Sequence, residues 1–392
     1  QLIANLLAAR FLRQSPNDDT EFAERNGLIL IPRVLEDSDT NIAMLSFLAS
    51  ETVTEEYFHR AEQPLRLSRR FKEPRFIGDC ALSELPIGYV GITVHAFGLS
   101  EQDLRRDTHD WNSDDTLGLE CSGVVYNVGV GVRGISIGDR VVCLGTGTAR
   151  SFYHDRAAAF QKIGDKMSFE LASALPVAYS TAYYIDNYHL SHLQLNDVVL
   201  VHRAGCWCGQ AIVELYKMRG AQVFATVKDS TEKLMLSCRF GIPTHHIFID
   251  GQNDVVKSLR RLTDGKRPNL VVSLGTGDEQ LQRSTAPFGH FIRLFSDKFR
   301  TQGVLRSHNI SLSTFNIFDL RRERRDLADH IWSKVFRLFR EGRLKGPSGT
   351  AVYNISHIQQ AIEEIPTKRH VIVTAAPDDL VMVSSPFHPK KT

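Results

Sequence analysis

From about Ser168 onward the chain alternates apolar strand segments with amphipathic helical ones, and this alternation constrains the fold more than any other feature. The strand segments read DVVLVH, QVFATV, HHIFID, NLVVSLG and HFIRLF; the helical segments between them read QAIVELYKM, STEKLMLSCRF and NDVVKSLRRL. Strands apolar on both faces, separated by helices, call for a parallel sheet covered on both sides. The expected fold class is α/β with a doubly wound parallel sheet. From about Pro74 to Lys166 the pattern is different: β-branched residues alternate with glycine turns at short intervals, as in GVVYNVGVGVRGISIGDRVVCLG, and predict a mainly β, barrel-like unit. Residues 1–70 resemble neither part and read as a tail or linker, with a helical start, a polar gap, a short strand over Leu28–Val34 and a second helix-like run. Near the other end, Leu327, Ile331, Val335 and Leu338 fall at helical spacing, and the strands TAVYNI and RHVIVTA follow. The mixed-charge run Asp319–His330 reads as a solvated helical face.

Composition narrows the function. With 47 Lys+Arg against 45 Asp+Glu, the net charge of +2 is too small for a protein that depends on counterion release from nucleic acid. Apolar runs break well before the roughly 18 residues of a membrane helix. Six cysteines, at 80, 121, 143, 206, 208 and 238, are scattered, which favours reduced thiols and a soluble, cytoplasmic protein. The chain opens at Gln1 inside an apolar pattern, as a piece cut from something longer would.

The decisive position is the first strand-to-helix turn of the αβ section, VHRAGCWCGQ over Val201–Gln210, where a helix N-terminus would meet a dinucleotide pyrophosphate. Such a turn needs residues without Cβ where backbone approaches phosphate. This one offers Gly205 and Gly209, with Cys206, Trp207 and Cys208 between them. The expectation is that Trp207 folds into the crevice and fills it. Losing three charge-assisted hydrogen bonds of about 1.5–3 kcal/mol each lowers affinity by roughly three to six decades. Arg203 attracts an anion and offsets part of that loss. Asp229, twenty residues beyond Gly209, is either the acceptor of a ribose 2′-hydroxyl or a helix N-cap, and both readings stay open. Cys206 and Cys208 lack the further ligands that a tetrahedral metal site needs, so no metal is expected. His202 reads as a satisfied core histidine.

The string GLECSGVVYNVGVGVRGISIGDRV (Gly118–Val141), with LASALPVAYSTAYY (Leu171–Tyr184), AQVFATV, FGIPTHHIF and APFGHFI (Ala286–Ile292), resembles the enoyl reductase domain of fungal highly reducing polyketide synthases, in the zinc-free medium-chain dehydrogenase/reductase superfamily. The resemblance spans about residues 75–383. It implies a Rossmann-like cofactor domain over 170–343 and a GroES-like substrate-side domain over 71–169 plus 344–392, with 1–70 as the linker of a preceding structural ketoreductase region. It also implies hydride transfer from NADPH to the β-carbon of a carrier-bound α,β-unsaturated acyl thioester.

The site departs from the family pattern in several places. Two glycines of the family's A-A-G-G-V-G-Q turn are replaced by Cys206 and Trp207. Lys228, Asp229 and Glu232 stand where the family contacts the 2′-phosphate, and a carboxylate there repels it. The family's Asn-Phe-Arg-Asp beside the nicotinamide corresponds to Ser100, Glu101, Gln102 and Asp103, and its Asn-Ser-Leu to Ser273, Leu274 and Gly275. Its Gly-Lys proton donor corresponds to Phe295 and Ser296, with Lys298 as a fallback, and its C-terminal Ile-Gly-Lys-Val-Val is shortened to Val371, Ile372 and Val373. Gly118, Glu120, Gly123, Asp139, Pro176 and Tyr183 are kept and mostly serve turns and packing. The expectation is a pseudo-enoyl reductase with no catalytic residue and no bound cofactor. Its partners would be neighbouring synthase domains, an acyl carrier protein, a trans-acting reductase and a second copy of itself. The alternatives are an active NAD(P)H-dependent enoyl reductase, in which Arg203 takes the phosphate and Lys298 donates the proton, a docking module for a protein or acyl chain, and a quinone reductase-like enzyme.

Overall fold

The computed structural model describes residues 23–25, 28–30, 52–61, 63–68, 74–79, 84–104, 117–189, 194–252, 254–275, 278–295 and 309–385. The chain divides into two units, Gln1–Thr52 with Pro386–Thr392, and Val53–Ser385. In the first, strands β1 (Ala23–Arg25) and β2 (Leu28–Leu30) form an antiparallel hairpin. The helical start, the second helix-like run and positions 31–34 of the expected strand lie outside the described residues.

The second unit opens with β3 (Thr52–Tyr57), β4 (Leu65–Ser68) and β5 (Arg75–Gly78), which join the last strand, β19 (Leu380–Ser385), in the order β3-β19-β5-β4. Two of these strands, β3 and β4, fall within residues 1–70, the stretch read as a tail or linker. Phe58, Leu65 and Leu67 are fully buried, and the Phe58 ring meets Phe76 edge-on at 5.2 Å. Burial of three large apolar side chains at roughly 1.5–3 kcal/mol each is what a solvated linker lacks.

The barrel-like lobe is built around β6 (Tyr89–Ser100), which pairs with β7 (Glu120–Val128), β9 (Phe152–Arg156) and β18 (His370–Thr374). Strands β8 (Arg140–Leu144), β10 (Phe160–Lys162) and β17 (Ala351–Asn354) complete the seven-stranded sheet. Its helices are α1 (Glu101–Leu104) and α2 (Phe169–Ser173), after which α3 (Pro176–Tyr184) leads into the second lobe.

That lobe is a six-stranded parallel sheet of β11 (Val198–His202), β12 (Gln222–Val227), β13 (Ile247–Ile249), β14 (Leu270–Ser273), β15 (His290–Leu294) and β16 (Ser311–Phe315), in the order β13-β12-β11-β14-β15-β16. Each strand is followed by, or packed beside, a helix of the set α4 (Trp207–Met218), α5 (Ser230–Phe240), α6 (Val255–Leu262), α7 (Glu279–Ser284), α8 (Ile317–Glu323) and α9 (Arg325–Arg340); α10 (Ile358–Lys368) belongs to the barrel lobe. Every residue of β11 and β14 is buried, as a strand covered on both faces requires. Strand order reverses between β11 and β14, which places the ligand crevice of such a sheet at their carboxyl ends. Among the described residues no helix is long and apolar enough to cross a membrane.

An ionic cluster ties the lobes together. Asp155 on β9 accepts from Arg321 Nη2 (2.7 Å), Arg325 and the Tyr153 hydroxyl (2.8 Å). Arg321 also reaches Asp329 (2.5 Å), which Arg156 holds from the other side at 2.8 Å. The expected solvated face over 319–330 is therefore only partly solvated: the chain breaks at Arg324 into two helices, and Arg321 and Asp329 are buried. Burial raises the Asp329 carboxyl, and the Arg321 and Arg156 charges oppose that rise. Removing the shared cation leaves two carboxylates without their main partner. Arg321→Met should cost about 3–5 kcal/mol in urea unfolding, while the exposed Arg322→Met stays within about 0.5 kcal/mol. A cost below about 1 kcal/mol for Arg321→Met would show that the cluster does not hold the lobes.

Candidate functional site

β11 ends at His202, and the chain turns over Arg203–Cys206 into α4, whose first residue is Trp207. Arg203 holds a left-handed backbone at φ 59°, a conformation that strains a non-glycine residue by roughly 1–3 kcal/mol. Cys206 takes the N-cap position without a side-chain capping hydrogen bond. Gly209 has no room for a side chain, because a Cβ there would lie 2.6 Å from Ala204 Cα; this bare position lets α4 pack against the end of β11. Gln210 then ties the turn down, donating to the carbonyls of Gly205 (3.0 Å) and Ser348 (2.9 Å) and accepting from the Ser348 N–H (2.8 Å).

Gly205 faces a carboxylate. A Cβ built on it would collide with the Glu232 carboxyl group, whose Oε2 accepts from the Lys228 N–H at 2.8 Å. Asp229 is the N-cap of α5, accepting from the N–H groups of Thr231 and Glu232, each at 2.9 Å. Of its two readings, the cap is the one with hydrogen bonds behind it. Arg203 lies against Gly275, and its Nε is 3.6 Å from Asp250 Oδ2.

The Trp207 indole makes its ring contacts across to the barrel lobe. It is 8% exposed and packs on the His370 ring of the barrel lobe, with centroids 4.3 Å apart, and 6.3 Å from Phe295. Below it, His370 Nε2 meets Glu120 Oε1 at 2.6 Å, and Glu120 Oε2 accepts from the Val177 N–H at 2.8 Å. Burial pushes the Glu120 carboxyl up, against the pull of the His370 hydrogen bond and charge. Asp103, also pushed up by burial, accepts from the N–H groups of Gly118 (2.7 Å) and Ser100 (2.8 Å) and from the Ser100 hydroxyl. Two further links cross the cleft: Gln102 donates to the Phe295 carbonyl at 3.2 Å, and Arg369 donates to the Leu274 carbonyl. Phe295 has a left-handed backbone at φ 57°.

Trp207 and Gln102 thus both reach Phe295 and Arg369 reaches Leu274, while at the carboxyl end of the central strand β11 Glu232 lies on Gly205 and Arg203 lies against Gly275. Ser296 and Lys298 lie outside the described residues. His370 and Arg369 were missed from the sequence; the available signal was a basic pair at the start of the strand segment RHVIVTA. Burial pushes both thiols, Cys206 and Cys208, up, so neither is poised as a thiolate. Among the described residues no group of three or more His, Cys, Asp or Glu side chains is arranged to hold a metal ion.

The raised Glu120 carboxyl sets a pH dependence. The folded state holds its proton more tightly than the unfolded chain, so this contribution is complete below the ordinary value of 4.5 and is lost as pH rises through the folded value. Glu120→Gln should therefore give a flatter fall of unfolding free energy above pH 4.5 than the wild-type chain in urea titrations at stepped pH. Equal slopes would contradict this.

Comparison with known proteins adds to this geometry. The family model of the alcohol dehydrogenase GroES-like domain matches residues 86–183. The highly reducing polyketide synthase phiA of a fungal species (strain ATCC 74256) is 34% identical over 385 residues, which cover 94% of this chain and 15% of that protein. The highly reducing polyketide synthase tstA of Talaromyces stipitatus is 31% identical, over 93% of this chain and 15% of that protein. The chain thus spans about one seventh of the length of these relatives. Among solved structures, the CurK enoyl reductase superposes with a TM-score of 0.70 at 23% identity, over 80% of this chain and all of that one. A mycobacterial protein solved in complex with NADPH superposes at 0.67 with 19% identity, over 80% of this chain and 100% of that one. The chain has a medium-chain reductase fold, a GroES-like domain joined to a Rossmann-like sheet, and is related in sequence to a segment of fungal reducing polyketide synthases.

Proposed function

We propose that this chain is a non-catalytic, pseudo-enoyl reductase domain of a highly reducing polyketide synthase. The observation that carries the reading is the Trp207 indole, which packs on His370 and faces Phe295 in the cleft where a reductase of this fold would present its nicotinamide to substrate. An aromatic pair of this kind contributes about 0.5–1.5 kcal/mol beyond its buried area, so opening the cleft to a nicotinamide costs stability as well as space. The turn supports the same reading, since Cys206 and Trp207 replace residues that would otherwise leave backbone free to approach phosphate.

The role would be architectural. The domain keeps the geometry between neighbouring synthase domains and a carrier protein, while a separate trans-acting reductase supplies enoyl reduction. A homodimer fits through β16, an edge strand of the parallel sheet with exposed and half-exposed residues. A second reading, an active NAD(P)H-dependent enoyl reductase, draws on the NADPH-bound fold neighbour and on Arg203 at the crevice.

Titration of the 392-residue chain with NADPH by calorimetry, together with an assay of crotonyl-pantetheine reduction, separates the two. The expected result is no turnover and binding of about millimolar strength or weaker. Micromolar binding or turnover would overturn the non-catalytic reading. In the same assay Cys206→Gly with Trp207→Gly should gain measurable affinity, with little turnover unless Ser296→Lys is added. A double mutant that binds no better than wild type would mean that Trp207 is not what blocks the cleft.

A further inference from the structure

We propose that the dinucleotide turn retains an anion site, and that its resident anion is the chain's own Glu232. The proposal rests on the non-catalytic reading and deepens it, from a site that is lost to a site that is occupied.

Gly205 exposes backbone at the end of β11, and the Glu232 carboxylate lies directly on it, where any Cβ would collide with Oε2. The carboxylate is held there. The Lys228 N–H donates to Oε2 at 2.8 Å, and the Glu232 backbone N–H is capped by Asp229 at 2.9 Å. The positive end of α5 favours a negative group at this point.

The surrounding groups are arranged for an anion. Thr226 Oγ1 accepts from the Arg203 N–H at 3.0 Å and shares a hydrogen bond with His202 Nδ1 at 2.8 Å. His202 is 7% exposed, and Nε2 has no hydrogen-bond partner among the described residues. It borders Gly275, where a Cβ would lie 3.1 Å from it and 2.8 Å from Arg203 Cδ. The buried Arg203 Nε also lacks a hydrogen bond, with Asp250 3.6 Å away. An unpartnered His202 ring nitrogen and the Arg203 Nε–H therefore stand at the crevice beside a turn already carrying a carboxylate. A pyrophosphate entering this turn must displace Glu232 or sit beside it at like charge, which makes Glu232 the residue that excludes dinucleotides from the carboxyl end of β11.

ADP-ribose is the suitable probe, because it lacks the nicotinamide and so does not compete for the place of Trp207. Calorimetry on the full chain should show Glu232→Ala binding ADP-ribose at least about tenfold more tightly than wild type. Glu232→Gln, which keeps an acceptor for the Lys228 N–H, should also gain affinity, and Trp207→Ala alone should not. If both Glu232 variants melt cooperatively by circular dichroism and neither binds ADP-ribose more tightly than wild type, the proposal is overturned and the non-catalytic reading stands. Micromolar binding of NADPH by the wild-type chain would overturn both.

Discussion

The packing of Trp207 against His370 is the contact on which the two-lobe arrangement of the cleft depends. It joins the first turn of α4 to the first residue of β18, and it covers a buried pair, His370 with Glu120, that needs cover from water to keep its geometry. Glu120 in turn accepts from the first turn of α3, so one side chain of the barrel lobe fixes the helix that leads into the parallel sheet. Were the indole to swing out, the imidazole and carboxyl groups would face a cavity, and leaving buried polar groups exposed to poor solvation costs roughly 1–3 kcal/mol each.

The carboxyl end of β11 is governed by charge instead of packing. A working dinucleotide turn presents bare backbone and a helix N-terminus to phosphate. In this chain Gly209 permits the close approach of α4 to Ala204, and Gln210 ties the turn to Ser348. A carboxylate faces the other bare glycine, Gly205. Glu232 is both the third residue of a capped helix and the group lying on Gly205, so local helix chemistry and the occupation of the crevice come from the same side chain. At the other end of the cleft Phe295 has a left-handed backbone of the kind glycine adopts freely, at the cost of strain.

The elements most legible in the sequence were those specified by near neighbours. Helix α5 runs over Ser230–Phe240, as its segment predicted, because Asp229 caps one end and Gly241, at φ 61°, terminates the other. The parallel sheet was readable from uninterrupted apolar strands. Partnerships between distant residues were not. Arg321 is buried only because Asp155, 166 positions away, neutralises it, so a charged run that looked solvated became part of a lobe contact. Likewise the His370–Glu120 pair joins positions 250 apart, and nothing local to either residue announces the other. Strand β3, inside the stretch read as a linker, likewise finds its partner only in β19, from the far end of the chain.

The central claim is that the turn from Gly205 to Gln210 is closed to dinucleotide by the chain's own side chains. Amide hydrogen exchange across this turn, with and without saturating NADPH, reads it at the backbone itself. The account predicts identical exchange for the amides of Cys206, Trp207, Cys208 and Gly209 in the two conditions. Protection of these four amides by NADPH, with the rest of α4 unchanged, would contradict it.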